Sequence, residues 1–301
     1  MAGGGYRAGL TVPRPRACSD RGSLDSAPEI ALSGRSSCEE ARKTRMDSLF
    51  SVEGKVALVT GGGSGIGWMI AEGYARAGAK VYIASRKGAE LEARIAELDG
   101  AGDVRAIQAD LSSEAGCRGL GDEIEGREER LDILVNNAGA NWGAPYEDFP
   151  DAAWDRVLNV NVKAIFHLSR RLTPQLARAA TGEDPSRIIN IGSIDGLTVP
   201  VLETYAYSAS KAAVHHMTRV LARKLGPKSI TVNAIAPGPF QSRMMRTTLE
   251  QFGDGIAASN PLGRIGSPQD MAGISIFLAS RAGAYVNAAV IPVDGGITGT
   301  R

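Results

Sequence analysis

Tyr207 and Lys211 stand four residues apart in Tyr207-Ser208-Ala209-Ser210-Lys211. On a helix this spacing is a rise of ~6 Å and nearly one turn, so the two side chains share a face. A phenol ionises near pH 10, too high for efficient acid/base work at neutrality, and a neighbouring ammonium favours the phenolate. Lowering that pKa by about 3 corresponds to roughly 4 kcal/mol of preferential stabilisation of the ionised form. By itself such a pair is as readily a solvated helix face. Ser193 adds to it, in Gly192-Ser193-Ile194-Asp195-Gly196 just past the apolar run Arg187–Ile191. Its hydroxyl can donate to a carbonyl oxygen beside Tyr207. Hydrolase chemistry is the rival reading of a serine, but the order here is GSxxG and not the GxSxG elbow. None of His167, His215 and His216 lies at a strand end, where a partner base is expected. His215-His216 also lacks metal-ligand spacing, and both read as ordinary helix residues. No metal site is expected.

A second constellation is Gly61-Gly62-Gly63-Ser64-Gly65-Ile66-Gly67, placed after the apolar run Val56–Thr60 and before a helical stretch. Glycine lets a backbone turn sharply and approach a pyrophosphate, and a helix N-terminus offers the anion unpaired N–H groups and partial positive charge. Glycine-rich turns also serve purely steric ends; the strand–loop–helix context is what points to a dinucleotide. The absence of GK[ST] argues against a triphosphatase loop. The second strand ends Ser85-Arg86-Lys87, without the carboxylate that binds the ribose hydroxyls of NAD. Ser85 and Arg86 suit a 2′-phosphate instead, which favours NADP over NAD, unless Arg86 is only a surface residue opening the next helix. The oxidised nicotinamide ring of such a cofactor would add a second positive charge favouring the Tyr207 phenolate.

These residues need a frame. Strand-like runs at Val56–Thr60, Val81–Ser85, Val104–Ala109, Ile133–Asn136, Arg187–Ile191, Ile230–Ile235 and Val290–Val293 are mostly apolar at consecutive positions, as strands buried on both faces must be. Helical stretches lie between them near 66–77, 88–98, 113–126, 151–179, 204–225 and 268–281. The alternation predicts an α/β protein, a single-domain Rossmann-type doubly wound parallel sheet of about seven strands. Ligands then sit beyond the carboxyl ends of the strands, where both constellations fall.

The chain has 301 residues, 34 Lys+Arg against 33 Asp+Glu, 43% apolar and 22% charged residues, as a globular protein with one large core has. Near-neutrality disfavours nucleic acid or an anionic membrane as partner. No apolar run reaches the ~20 residues of a membrane helix. Cys18, Cys38 and Cys117 form no CxxC pair and suit a reducing, cytoplasmic setting. Residues 1–45 carry eight Lys/Arg and five Asp/Glu, with no apolar periodicity. They read as a disordered leader, a non-native extension ahead of Met46, or a mitochondrial transit peptide, against which the five acids count. The domain is expected over 46–301.

Thr60-Gly61-x-x-x-Gly65-Ile66-Gly67, Asn136-Asn137-Ala138-Gly139, Ser193 and Tyr207-x-x-x-Lys211 together resemble the pattern of the short-chain dehydrogenase/reductase family over about residues 50–301. The resemblance implies that Tyr207 is the general acid/base, that Ser193 polarises the carbonyl, and that Lys211 holds the nicotinamide ribose and tunes Tyr207. It implies that Asn161 holds a relay water, that Asp110 and Leu111 flank adenine, and that Asn137 meets the cofactor. Gly61, Ser64, Gly65, Ile66 and Gly67 would hold the pyrophosphate, and Pro237-Gly238-Pro239-Phe240-Gln241-Ser242 the nicotinamide amide. Ser64 stands where many NADP-using relatives carry a basic residue, which leaves the phosphate to Arg86. Gly192 stands where serine is frequent, a change expected to be harmless. A homotetramer, or a homodimer, packed through 151–179 and 204–225 is the implied assembly.

Substrate choice is expected in Ala140–Phe149, Ile194–Leu202 and the stretch after Phe240, where Met244, Met245, Leu249 and Phe252 suggest an apolar flap, with Arg243 and Arg246 interleaved. Asn141-Trp142-Gly143, Asn190-Ile191-Gly192-Ser193 and Ala236-Pro237-Gly238-x-Phe240-x-Ser242-Arg243-Met244 resemble the 3-oxoacyl-[acyl-carrier-protein] reductase branch of the rhamnolipid-biosynthesis type. That implies NADPH-dependent reduction of a 3-oxoacyl thioester, with acyl carrier protein as a partner for the arginines. The alternatives are a dehydrogenase of a sugar, polyol, steroid or xenobiotic ketone, and a catalytically idle cofactor-binding scaffold.

Overall fold

The computed structural model describes residues 48–242 and 245–300. The leader expected at 1–45, with Arg243 and Met244 of the flap, lies outside them. Seven strands form one wholly parallel sheet in the order β3-β2-β1-β4-β5-β6-β7. They are β1 (Val56–Thr60), β2 (Lys80–Ser85), β3 (Asp103–Gln108), β4 (Ile133–Asn136), β5 (Ser186–Ile191), β6 (Ile230–Pro237) and β7 (Val290–Val293). The helices are α1 (Gly65–Arg76), α2 (Gly88–Ala96), α3 (Glu114–Arg127), α4 (Asp151–Leu158), α5 (Ala164–Ala179), α6 (Tyr205–Leu225), α7 (Arg246–Ser259) and α8 (Pro268–Ala279). The chain reverses direction across the sheet between β1 and β4, so a crevice opens there at the strands' carboxyl ends.

Because side chains alternate across a strand, each inner strand feeds two cores. On β1, Ala57 and Val59 join Ile70 and Tyr74 of α1 and Met271 and Leu278 of α8. Val56 and Leu58 join Leu120 of α3, Leu172 of α5 and Ala222 of α6 on the other face. Burial of one such Leu or Val stabilises by about 1.5–3 kcal/mol, which accounts for apolar residues at consecutive positions in β1 and β4. The outer strand β3 instead buries only Val104 and Ile107 and exposes Asp103, Arg105 and Gln108.

Two elements depart from expectation. The helix expected over 151–179 is broken by a π turn at Asn159–Lys163. Such a turn widens a helix and re-aims its side chains, and here it places Asn161 at 1% exposure. After Phe240, in a stretch to which hydrophobic periodicity assigns no helix, the chain forms α7.

Candidate active site

The strand ends carry the site. Asn136 and Asn190 pair in register across β4 and β5. The Asn136 amide donates to Asn190 Oδ1 at 2.9 Å, and Asn190 Nδ2 donates to Thr218 Oγ1 of α6 at 2.9 Å. All three residues are buried. This network joins the end of β5 to α6, and so joins the Ser193 turn to the helix that bears Tyr207 and Lys211.

Ser193 is extended (φ −166°, ψ 155°) and its Oγ accepts the Asp195 N–H at 3.2 Å. That contact occupies a lone pair and leaves the hydroxyl proton free to donate. Tyr207 lies in the first turn of α6; Lys211 Nζ lies 5.4 Å from its ring centroid and donates to the Ile191 carbonyl at 2.8 Å. Burial pushes Tyr207 up to about 12, opposed by its hydrogen bond with Ser193, and pushes Lys211 down to about 8. The lowering of Tyr207 expected from Lys211 is therefore not seen in the protein alone, where desolvation of the phenolate dominates and the charge of Asp195 adds to it. Lys211 still carries its charge at neutral pH.

Asn161 reaches the same place, but its side chain is already engaged. Its Oδ1 accepts the Ala140 N–H at 2.8 Å, and its Nδ2 donates to the Ala140 carbonyl at 3.0 Å and to Ser210 Oγ at 2.9 Å. What it offers a water is main chain within the π turn. Asn137 is likewise a clamp: Nδ2 donates to the Thr60 carbonyl at 2.8 Å and the Gly61 carbonyl at 3.2 Å, holding the glycine turn. Thr60 Oγ1 completes it by accepting the N–H groups of Asn137 and Ala138 at 3.0 Å.

The glycine turn fits a cofactor pyrophosphate. Gly61 has φ +66°, and a Cβ at Gly67 would lie 2.3 Å from the Gly61 carbonyl oxygen. Ser64 caps α1 without a side-chain hydrogen bond, and the first turn contains no acidic residue, so its N–H groups and dipole are uncompensated. Ile66 packs on the core behind the turn. A Cβ at Gly65 would lie 2.9 Å from Ser242 Cβ, which brings the segment after β6 against the turn. At the end of β2, Ser85 Oγ accepts the Lys87 N–H at 3.2 Å, and the Arg86 carbonyl accepts Gln108 Nε2 at 3.1 Å. Lys87 is paired with Glu90, whereas the Arg86 guanidinium makes no hydrogen bond or ion pair among the described residues. Asp110 spends Oδ1 on the Ser112 N–H at 3.0 Å, and Leu111 is buried.

Three sequence expectations change. Phe240, expected at the cofactor, has its ring in the core beneath Gly266, where a Cβ would lie 2.3 Å from Phe240 Cζ. Only its main chain remains for a ligand, beside Pro237 and Gly238; the latter makes room for Asp294, 2.7 Å from a Cβ there. His215 is no ordinary helix residue: its ring, 3% exposed, packs against the two glycines that flank Ser193. Burial lowers its pKa, so it sits there neutral. Gly192 is more than a tolerated replacement for serine: a Cβ there would lie 2.1 Å from His215 Nε2, so the packing of that ring calls for glycine. No short-range pattern announces that pair.

The first segment expected to choose substrate, Ala140–Phe149, meets the residues that follow the second, Glu203 and Tyr205. Glu203 Oε1 accepts the Tyr146 N–H at 3.2 Å and the Tyr205 hydroxyl at 2.7 Å, and Phe149 lies edge-on to Tyr205 at 5.3 Å. Between Ser193 and Tyr207, the connection exposes Leu197, Leu202 and, at 94% and 98%, Val199 and Val201. Met245 donates its N–H to the Ser242 carbonyl at 3.1 Å; the side chains of Arg246, Leu249 and Phe252 lie outside the description.

The chain matches the family model described as enoyl-(acyl carrier protein) reductase over residues 61–298. It is 47% identical over 253 residues to the rhamnolipids biosynthesis 3-oxoacyl-[acyl-carrier-protein] reductase of Pseudomonas aeruginosa, covering 83% of this chain and 99% of that one. It is 34% identical to the gluconate 5-dehydrogenase of Gluconobacter oxydans over 83% of this chain and 97% of that one. Among solved structures, the Pseudomonas aeruginosa RhlG/NADP active-site complex superposes with a TM-score of 0.81 at 46% identity, covering 83% and 99% of the two chains. A gluconate 5-dehydrogenase from Burkholderia cenocepacia with NADP and tartrate gives 0.78 at 31%, covering 85% and 100%. The chain belongs to the short-chain dehydrogenase/reductase family. It is accordingly an oxidoreductase acting on the alcohol/ketone pair.

Proposed function

We propose that this protein is an NADPH-dependent reductase that converts 3-oxoacyl thioesters to 3-hydroxyacyl thioesters. The observation that carries the substrate class is the apolar connection between Ser193 and Tyr207, where Val199 and Val201 are almost fully exposed. Four apolar side chains on the run that separates the two reacting groups suit an acyl chain. The most similar relative named above, by its name, handles such a thioester. Arg86 would take the 2′-phosphate, the glycine turn the pyrophosphate, and the Pro237–Ser242 main chain the carboxamide. Asp110 and Leu111 would flank adenine. When bound, NADPH supplies the hydride that reduces the carbonyl carbon.

The protein's own residues handle the oxygen. Ser193, its lone pair occupied by the Asp195 N–H, donates its proton to the carbonyl oxygen. Tyr207 donates a full proton to that oxygen as negative charge develops there, which completes the alcohol. Lys211, charged and held by the Ile191 carbonyl, stabilises the phenolate left behind and holds the ribose. Main-chain groups of the π turn around Asn161 would hold the water that returns a proton to Tyr207. Tyr207 would feel a second positive charge when an oxidised nicotinamide is bound, and that charge would favour its phenolate against the upward push of burial.

The test is NADPH oxidation with acetoacetyl-CoA and a longer 3-oxoacyl thioester, beside NADH and Tyr207→Phe. Turnover that is lost in the variant is the expected result. Turnover of gluconate-type sugar acids or polyols but of no thioester would install the dehydrogenase reading that the gluconate 5-dehydrogenase relatives favour. We further place the protein in the cytoplasm, as a homotetramer of domains spanning 46–301. Light scattering at the mass of four chains is the expected result for the assembly. Acyl carrier protein is proposed as the thioester's carrier.

A further inference from the structure

Asp195 is a half-buried carboxylate for which the fold has no evident use. Its side chain makes no hydrogen bond and no ion pair among the described residues. Desolvating a carboxylate without a partner is unfavourable, yet this one stands in the middle of the site. Its own N–H is bonded to Ser193 Oγ at 3.2 Å. The next residue, Gly196, rests on α6 so closely that a Cβ there would lie 2.6 Å from the Lys211 carbonyl carbon. Of the titratable groups on α6, Lys211 and Tyr207 interact with Asp195 and the neutral His215 ring lies against the neighbouring Gly196; burial raises the pKa of the Asp195 carboxyl, opposed by Lys211. The Asp195 charge favours the Lys211 ammonium and opposes the Tyr207 phenolate.

Lys211 alone would make this site attract anions. Asp195 cancels that charge beside the position where a carbonyl meets Ser193. We propose that Asp195 is a specificity residue that discriminates by charge: it disfavours substrates with a carboxylate close to the reacting carbonyl and admits the same skeleton once that acid is esterified. The inference rests on Ser193, Tyr207 and Lys211 being the reacting groups, as given above. A free 3-oxo acid has its carboxylate two carbons from the reacting carbon, which Ser193 would hold beside Asp195, whereas in an ester or thioester that position is neutral. Like charges so placed in a partly buried site weaken binding about 10- to 100-fold.

The experiment compares acetoacetate with ethyl acetoacetate, which replaces the carboxylate by a neutral ethyl ester, on the protein loaded with NADP⁺, which cannot reduce a ketone. The added ethyl group is common to parent and variants, so the change in ratio on Asp195→Asn reads the charge. Affinities are read by ligand-observed NMR for the parent, Asp195→Asn and Asp195→Glu. The parent is expected to bind the ester at least tenfold more tightly than the acid. Asp195→Asn should remove most of that preference, and Asp195→Glu should retain it. A parent without the preference, or an Asp195→Asn ratio equal to the parent's, overturns the proposal. Tyr207, followed by ¹³C-tyrosine NMR and assigned with Tyr207→Phe, should titrate at lower pH in Asp195→Asn; an unmoved titration also counts against it. Reduction of the ester by NADPH is measured separately. A shifted binding ratio without reduction would uphold the role of Asp195 and sink the reductase reading, while reduction with an unmoved ratio would do the reverse.

Discussion

Gly192→Ser is the substitution that tests most directly how the Ser193 turn is held. A Cβ at position 192 would lie 2.1 Å from His215 Nε2 and 2.6 Å from its Cδ2. Ordinary carbon contacts are about 3.5–4.0 Å, so an overlap of roughly 1.5 Å must be relieved. The ring has little freedom to yield, because its Cε1 would lie 2.9 Å from a Cβ at Gly196 on the other side of the turn. The Gly192 N–H is tied to the Ile235 carbonyl at 2.7 Å, so part of the displacement passes to Ser193. Overpacking of this kind costs about 1–3 kcal/mol in stability. A shift of about 1 Å at a reacting group lowers turnover on the order of 100-fold. Urea unfolding and steady-state ketone reduction with NADPH would read the two effects. Removing the ring in Gly192→Ser/His215→Ala should restore most of both, with a coupling energy of about 1–3 kcal/mol between the sites. A single variant within twofold of the parent, or a double variant no better than the single one, would refute the steric account.

Tyr207→Phe should lower kcat by about 10²–10⁴-fold with NADPH affinity nearly unchanged, since only the proton donor is deleted; a fully active variant removes Tyr207 from the chemistry. Arg86→Asp should move the kcat/KM preference from NADPH towards NADH, and an unchanged ratio would assign the 2′-phosphate to another group. Thr60→Val deprives two partly buried N–H groups of their acceptor and should cost about 1 kcal/mol in stability and weaken NADPH binding; unaltered calorimetric binding would mean the clamp does not shape the turn. Lys211→Met should stabilise the cofactor-free protein at pH 7 by about 3 kcal/mol, because a pKa lowered from 10.5 to about 8 means the buried ammonium opposes folding. The unfolded chain binds the extra proton between pH 8 and 10.5, so the parent's stability rises across that window and the advantage of Met disappears. An advantage that grew with pH would reverse the sign of the argument.

The α/β alternation, the seven strands and the sites at their carboxyl ends were legible because each signal is local. Consecutive apolar residues in Val56–Thr60 or Ile133–Asn136 report a strand buried on both faces, and the i, i+4 spacing of Tyr207 and Lys211 reports one helix face. The glycine turn was equally readable, since its positive φ at Gly61 and the close approach at Gly67 are demands on the backbone itself. Contacts between elements were not. That His215 abuts Gly192, that Asn137 holds the glycine turn, that Phe240 turns into the core and that Asp195 has no hydrogen-bond or ion-pair partner for its carboxylate among the described residues all depend on how helices lie across a sheet. Residue types and spacing along the chain leave that placement open. The π turn at Asn159–Lys163 belongs with them, for its residues read as ordinary helix, and Asn161 becomes distinctive only through Ala140 and Ser210. Sequence by itself determined which groups stand at the strand ends; tertiary packing decided which of them are spent on holding the site and which remain free to act, because a hydrogen bond or a steric clash exists only once distant segments meet.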